Sequence, residues 1–234
     1  MWFLDRPPAS DLVKRCLQVL DPEERARADA FRTSELRARY AAAHALVRTV
    51  LSTYAPLRPE EWRYEHGPNG QPRLVDSPLD LRFSLSHCGA HAAVAVIVGR
   101  EVGLDLEDVD TGKDALGIAE RFFTTAEAEA LRACAEPERA DRFATLWTVK
   151  EAVLKARGVG LASGLASVEV ALGAGQPLSV VAPQGPWIVR AWAPEPGLRA
   201  AVAVRSESPL PLRTFRAVPL GATRAAPELG PSEP

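Results

Sequence analysis

The stretch LWTVKEAVLK, residues 146–155, constrains this chain more than any other. Drawn as a helix at about 3.6 residues per turn, it gathers Val149, Val153, Leu146, Phe143, Leu154 and Trp147 into one continuous apolar arc. An arc that broad has to be buried against other elements. Lys150 falls inside it, where an unpaired ammonium would be costly; pairing with a carboxylate would explain its place, and its role is read as structural or electrostatic. On the margin of the arc, one turn apart, Glu151 and Lys155 share a face, and a carboxylate and an ammonium reach the same small volume. The helical pattern extends over residues 138–157 and is closed by Gly158.

The chain is long enough, at 234 residues and 47% hydrophobic, to bury a substantial core as one large domain or two small ones. A formal net charge of -2 supplies no overall basic field, which argues against a general nucleic-acid binder and leaves only local anion sites. Cys16, Cys88 and Cys134 form no CxxC pair, so they read as small core residues in a reducing cytoplasm. No apolar run reaches the length of a membrane span, and MWFLDRPPAS has neither a basic start nor an apolar signal core. Residues 206–234, with Pro209, Pro211, Pro219, Pro227, Pro231 and Pro234, read as an extended or disordered tail.

After a short extended start, Asp21, Pro22 and Glu24 open a short arginine-rich helix as cap, first-turn proline and reciprocal carboxylate. A longer helix is expected over residues 34–54, with Leu36, Tyr40, Ala43, Val47, Val50 and Tyr54 at helical spacing. The period then changes to that of strands at 62–66, 81–86, 92–98 and 102–109, with Gly67, Pro68, Asn69 and Gly70 as a turn. In the last of these, Val102, Leu104 and Leu106 face one way and Gly103, Asp105 and Glu107 the other. Helices at 114–122 and after the capping box TTAE (residues 124–127) precede the long helix, and strands follow at 168–172, 187–192 and 198–205. The string AAVAV occurs at 92–96 and again at 200–204, once in each half, and the order of helices and strands repeats with it.

Asp105 and Glu107 on one strand face, with no histidine or thiolate beside them, suit a hard cation such as Mg2+. A solvated polar strand face would carry the same pattern. Glu151 adds a third carboxylate, and three converging carboxylates repel one another unless a cation lies between them. Ser86 and His87 stand at a strand-to-turn boundary beside Gly89, where a phosphate can be gripped or where the histidine is simply structural. Arg25, Arg27, Arg37 and Arg39 form either a basic patch or a solvated helix surface.

FSLSHCG, GLDLED and WTVKEAVLK, in that order, resemble the signature blocks of the Sfp-type 4'-phosphopantetheinyl transferases, with GQP (residues 70–72) in the place of a GKP-like segment. The resemblance covers residues 21–160 and more loosely continues to 205. It implies an α+β fold of two similar α/β halves related by a pseudo-twofold axis, residues 1–103 and 104–205, followed by the tail. It implies further that Asp105, Glu107 and Glu151 ligate Mg2+ and that Lys155 contacts the phosphates of coenzyme A. Ser86, His87, Arg27 and Arg39 would lie near the nucleotide's 3'-phosphate, and Gly70, Gln71 and Pro72 against its adenine. Gln71 replaces a lysine common in the family's segment, and Glu24 stands where some relatives carry a basic residue.

The activity implied is Mg2+-dependent transfer of 4'-phosphopantetheine from coenzyme A to a serine of apo acyl or peptidyl carrier proteins, releasing adenosine 3',5'-bisphosphate. Glu151 would take the serine proton, directly or through a water, and Lys155 would stabilise the leaving phosphate. Arg121, Arg132, Arg139 and Arg142 are candidates for steering an acidic carrier helix. The expected protein is a cytoplasmic monomer with no nucleic-acid or membrane partner. A phosphohydrolase using the same carboxylates, or a coenzyme-A-binding module without turnover, are the competing readings.

Overall fold

The computed structural model describes residues 1–4, 10–110, 114–160, 164–171 and 179–221, together with the backbone of 224–225. The chain has an α+β fold and divides into two compact units. The first spans Met1–Gly99 and takes in the described residues from Leu212 onward; the second runs, among the described residues, from Arg100 to Pro211.

The first unit opens with β1 (Trp2–Leu4), α1 (Ser10–Val19), α2 (Pro22–Asp29) and α3 (Ser34–Leu51). The strands β2 (Arg63–His66), β3 (Pro72–Val75), β4 (Leu81–Cys88) and β5 (His91–Val98) follow. The second unit holds β6 (Val102–Asp108), α4 (Ala115–Phe122), α5 (Thr125–Arg132), α6 (Glu138–Arg157), β7 (Glu169–Ala171), β8 (Ser179–Val181), β9 (Trp187–Trp192) and β10 (Leu198–Arg205). The short strands β11 (Phe215–Arg216) and β12 (Arg224–Ala225) return to the first unit's sheet, whose order is β12-β11-β1-β5-β4.

In the first unit α3 supplies Ala43, Leu46, Val47 and Val50 to a core shared with Trp2, Phe83, Val94 and Trp62. Arg48 lies fully buried on this helix. Its guanidinium bonds Asp21 at 2.9 Å and Glu24 at 2.7 Å and donates to the carbonyls of Pro59 and Trp62. Glu24 also closes the capping box with Asp21 and bonds His44 Nδ1 at 2.9 Å. Burial pushes this carboxyl up, but the His44 hydrogen bond and Arg48 outweigh it and hold Glu24 below the usual carboxylate range. Glu24 is therefore the hinge pin of α2 on α3.

After β1, the helix α1 replaces the extended start expected from the sequence; Cys16, with Leu12, Leu17 and Val19 beside it and Leu20 just past the helix, packs against α3 residues Ala41 and Ala45. Part of the proline-rich tail is likewise ordered as strand, with Phe215 N donating to Met1 O and the Phe215 ring stacked on Trp2 at 4.3 Å.

In the second unit β10 lies between β6 and β9, antiparallel to both. Here α6 is buried on two sides. The expected apolar arc packs on α4 and α5, where Phe143 stacks on Phe123 at 5.6 Å. The side next to Val149, built from Ala152 and Ala156, lies directly on β6: a Cβ added at Gly103 would stand 1.8 Å from the Ala152 carbonyl oxygen and 2.6 Å from the Ala156 nitrogen. Ala201 and Ala203 of β10 extend the same small-residue surface. Gly103→Ala is accordingly expected to destabilise the fold by at least about 2 kcal/mol, because backbone must move to admit one methyl group; a melting temperature equal to the parent's would contradict this packing. Among the described residues, no helix is long and apolar enough to cross a membrane.

Candidate active site

Close approach of α6 to β6 is what builds the site. Strand alternation puts Gly103, Asp105 and Glu107 on one face, and Gly103 shows that this face meets α6. Asp105 is buried and accepts a hydrogen bond from Lys155 Nζ at 2.7 Å; the same ammonium donates to Leu104 O at 3.1 Å. One turn earlier on α6, half-buried Glu151 has its carboxyl pushed up to about 7. Burial is the largest cause, Asp105 and Glu107 add like-charge repulsion, and Lys155 pulls the other way. Four groups predicted to act together, Asp105, Glu107, Glu151 and Lys155, thus share one electrostatic neighbourhood.

Among the described residues, no three histidine, cysteine or carboxylate side chains stand close enough as placed to hold a metal ion. The donor chemistry nevertheless suits a hard divalent cation. All three groups offer oxygen, and the like-charge repulsion that adds to burial in raising Glu151 is what a cation would relieve.

The raised Glu151 carboxyl has a consequence for stability in EDTA. The folded protein holds the Glu151 proton more tightly than the unfolded chain, whose carboxyl keeps the ordinary value of 4.5. Below that value the group costs nothing; as pH rises from there through about 7 its charge increasingly opposes folding. Glu151→Gln should therefore melt higher than the parent at about pH 8 and level with it at about pH 4. An equal difference at both would show that the carboxyl is not under this strain.

Lys150 is wholly buried on the far side of α6. Its ammonium meets Glu127 at 2.8 Å, donates to the carbonyls of Leu165 and Val168, and sits 4.8 Å over the Phe123 ring. Burial lowers its pKa, with Glu127 acting against that. Glu127 in turn caps α5 through Thr124 and accepts from Val170 N. The carboxylate partner required by the sequence is this capping-box glutamate, which the TTAE motif had already marked for another task.

The remaining expected site residues lie in the first unit. Gly70, Gln71 and Pro72 form the end of the β2–β3 turn, with Gly70 at φ +77° and Gly67 N donating to Gln71 O. Ser86 and His87 are successive in β4, which sends them to opposite faces: Ser86 is buried and His87 exposed. Arg27 pairs with Glu23 at 2.7 Å and Arg39 with Glu35 at 2.5 Å, each within its own helix. Of the arginines considered for docking, Arg132 pairs with Glu120, Arg139 with Glu136 and Arg142 with Glu138, while Arg121 lies 5.0 Å over the Phe122 ring.

One charged residue of this neighbourhood escaped the sequence reading. Arg199 stands directly across from Glu107 in the β6–β10 register and pairs with Asp141 in the first turn of α6. Its signal was the alternation Arg199, Ala201, Ala203, which puts it on the α6 side.

Residues 101–203, which contain Asp105, Glu107, Glu151 and Lys155, match the family model described as the 4'-phosphopantetheinyl transferase superfamily. The 4'-phosphopantetheinyl transferase HetI of Nostoc sp. is 34% identical over 86% of this chain and 84% of its own length. The 4'-phosphopantetheinyl transferase Sfp of Bacillus subtilis is 30% identical over 86% of this chain and 88% of its own. Among solved structures, a holo-(acyl-carrier-protein) synthase from Bacillus anthracis in complex with CoA (3',5'-ADP) aligns over 44% of this chain and 93% of its own, at 18% identity and a TM-score of 0.40. Full-length likeness at this level, with the three signature blocks at the β4 end, β6 and α6, makes the chain a transferase of the Sfp-type 4'-phosphopantetheinyl transferase family.

Proposed function

We propose that this enzyme transfers 4'-phosphopantetheine from coenzyme A to a serine hydroxyl of an apo acyl or peptidyl carrier protein, with Mg2+, and releases adenosine 3',5'-bisphosphate. The observation that carries the reading is the seam between β6 and α6, where Asp105, Glu107, Glu151 and Lys155 act on one another.

A serine hydroxyl is a weak nucleophile at neutral pH, and a pyrophosphate repels it. Glu151, beside the carboxylate face, would accept the hydroxyl proton, directly or through a water, as the new oxygen–phosphorus bond forms. The bond between that phosphorus and the bridging oxygen breaks, and the charge leaves on adenosine bisphosphate. Lys155 stabilises that charge once its ammonium swings from Asp105 to the leaving phosphate. Mg2+, held by Asp105, Glu107 and Glu151, would supply charge neutralisation at the pyrophosphate when bound.

The residues expected to bind the nucleotide are Arg27, Arg39, Ser86 and His87, with Gly70, Gln71 and Pro72 at the adenine. Exchange of the Arg27 and Arg39 ion pairs for phosphate oxygens is open to both, since their present partners are exposed carboxylates on the same helix. Adenosine bisphosphate release should require an apo carrier protein and stop when its serine is replaced by alanine. Release at the same rate without any carrier would identify a phosphohydrolase instead.

A further inference from the structure

The α6-facing surface of the sheet carries its charges in a fixed order. Along β6 from its start come Gly103, Asp105 and Glu107, and the partners across the strand in β10 are Ala203, Ala201 and Arg199. Two positions of small residues therefore end at a guanidinium. Directly opposed side chains on antiparallel strands have Cβ atoms about 4.5–5.5 Å apart, so Arg199 is within easy reach of Glu107. Its side chain is only 20% exposed, and burial lowers its pKa, yet a guanidinium stays charged at any working pH. The structure pairs it with Asp141, in the first turn of α6, and with the Leu198 carbonyl at 2.9 Å.

Arg199 thus has two carboxylates within range, one on the strand that bears the site and one on the helix that covers it. Pairing with Asp141 draws the positive charge toward the start of α6. Pairing with Glu107 would lay it on the carboxylate face itself. At the other end of that face, Lys155 already bonds Asp105.

We propose that Arg199 is a positioning residue whose choice between Asp141 and Glu107 sets how tightly the carboxylate face holds a divalent cation. This rests on reading Asp105, Glu107 and Glu151 as that cation's ligands. Asp141, with no part in ligation, then belongs to the site as the residue that holds Arg199 aside. The direction of each effect follows from charge. Arg199→Gln removes a cation beside the site and tightens binding. Asp141→Asn releases Arg199 toward Glu107 and weakens it.

The test is a Mn2+ titration of the purified full chain followed by the electron paramagnetic resonance signal of free Mn2+, with circular dichroism to show that each variant is folded. Arg199→Gln should bind Mn2+ roughly tenfold more tightly than the parent, and Asp141→Asn should bind it more weakly by a similar factor. The double variant should match Arg199→Gln, because Asp141 acts through the guanidinium. A residue that merely held the fold together would not tighten cation binding when removed. Unchanged or weaker binding in Arg199→Gln overturns the inference, as does a double variant that keeps the full weakening of Asp141→Asn. Asp105→Asn separates the two levels. If the parent binds no Mn2+, or Asp105→Asn binds it as well as the parent, both the cation reading and this inference fall; if Asp105→Asn releases Mn2+ while Arg199→Gln changes nothing, only the inference falls.

Discussion

Asp105→Ala is expected to leave a folded protein that has lost at least about 10²-fold in kcat/KM for transfer to an apo carrier. The carboxylate has three neighbours that depend on it: the Lys155 ammonium at 2.7 Å, the Glu151 carboxyl whose proton it helps retain, and the cation expected at this face. Deleting it removes a ligand, frees Lys155 from its orientation and lets Glu151 become a weaker base. The fold should tolerate the loss. Lys155 keeps its bond to Leu104 O, and its side chain is 33% exposed, so water can solvate the charge left behind. Activity within tenfold of the parent, measured on a variant with an unchanged melting temperature, would remove Asp105 from the chemistry.

Lys150→Ala should have the largest effect on stability, a loss of about 3–5 kcal/mol, because it strands a buried Glu127 carboxylate and two carbonyls that now accept from the ammonium. For a chain of this size that corresponds to a fall in melting temperature on the order of 10 °C. Replacing both partners, Lys150→Met with Glu127→Leu, should recover part of the loss, since no charge is then left buried without its mate. Recovery will be incomplete: Glu127 also caps Thr124 and bonds Val170 N, and those donors have no substitute. A double variant less stable than Lys150→Ala would show that the pair itself, rather than the stranded charge, carries the stability.

How much of this was legible in the sequence depended on how strongly each side chain signals its surroundings. The bounds of α6 were readable because Gly158 ends it in the left-handed region at φ +66° and bulky apolar residues mark its period. Its second buried side was not, because Ala152, Ala156, Ala201 and Ala203 bury little area and look alike on a surface or in a core. Only Gly103, lying in alternation with Asp105 and Glu107, hinted that something passes close to β6. The helix α1 is different: Leu12, Cys16, Leu17 and Val19 stand at helical spacing and pack together, so its signal was present and went unread.

Pairings distant in sequence were legible only as needs. Lys150 announced that a carboxylate must meet it, but Glu127 lies one helix away and was already accounted for as a capping residue. Arg199 and Asp141 gave less warning still. Each looks like an ordinary surface charge until the β6–β10 register sets Arg199 opposite Glu107. By contrast, local periods paired Asp105 with Glu107 on a strand and Glu151 with Lys155 on a helix, and only the family resemblance of the blocks that carry them joined the two pairs, which the electrostatics of Glu151 now link.

The account stands most directly on one measurement, the intact mass of an apo carrier protein after incubation with the enzyme, coenzyme A and Mg2+. It predicts that the carrier gains the mass of a single phosphopantetheinyl arm, that the arm maps to one serine, and that Asp105→Ala gives none. Several acyl and peptidyl carriers left at their starting mass under conditions where the enzyme is folded and coenzyme A is intact would contradict it.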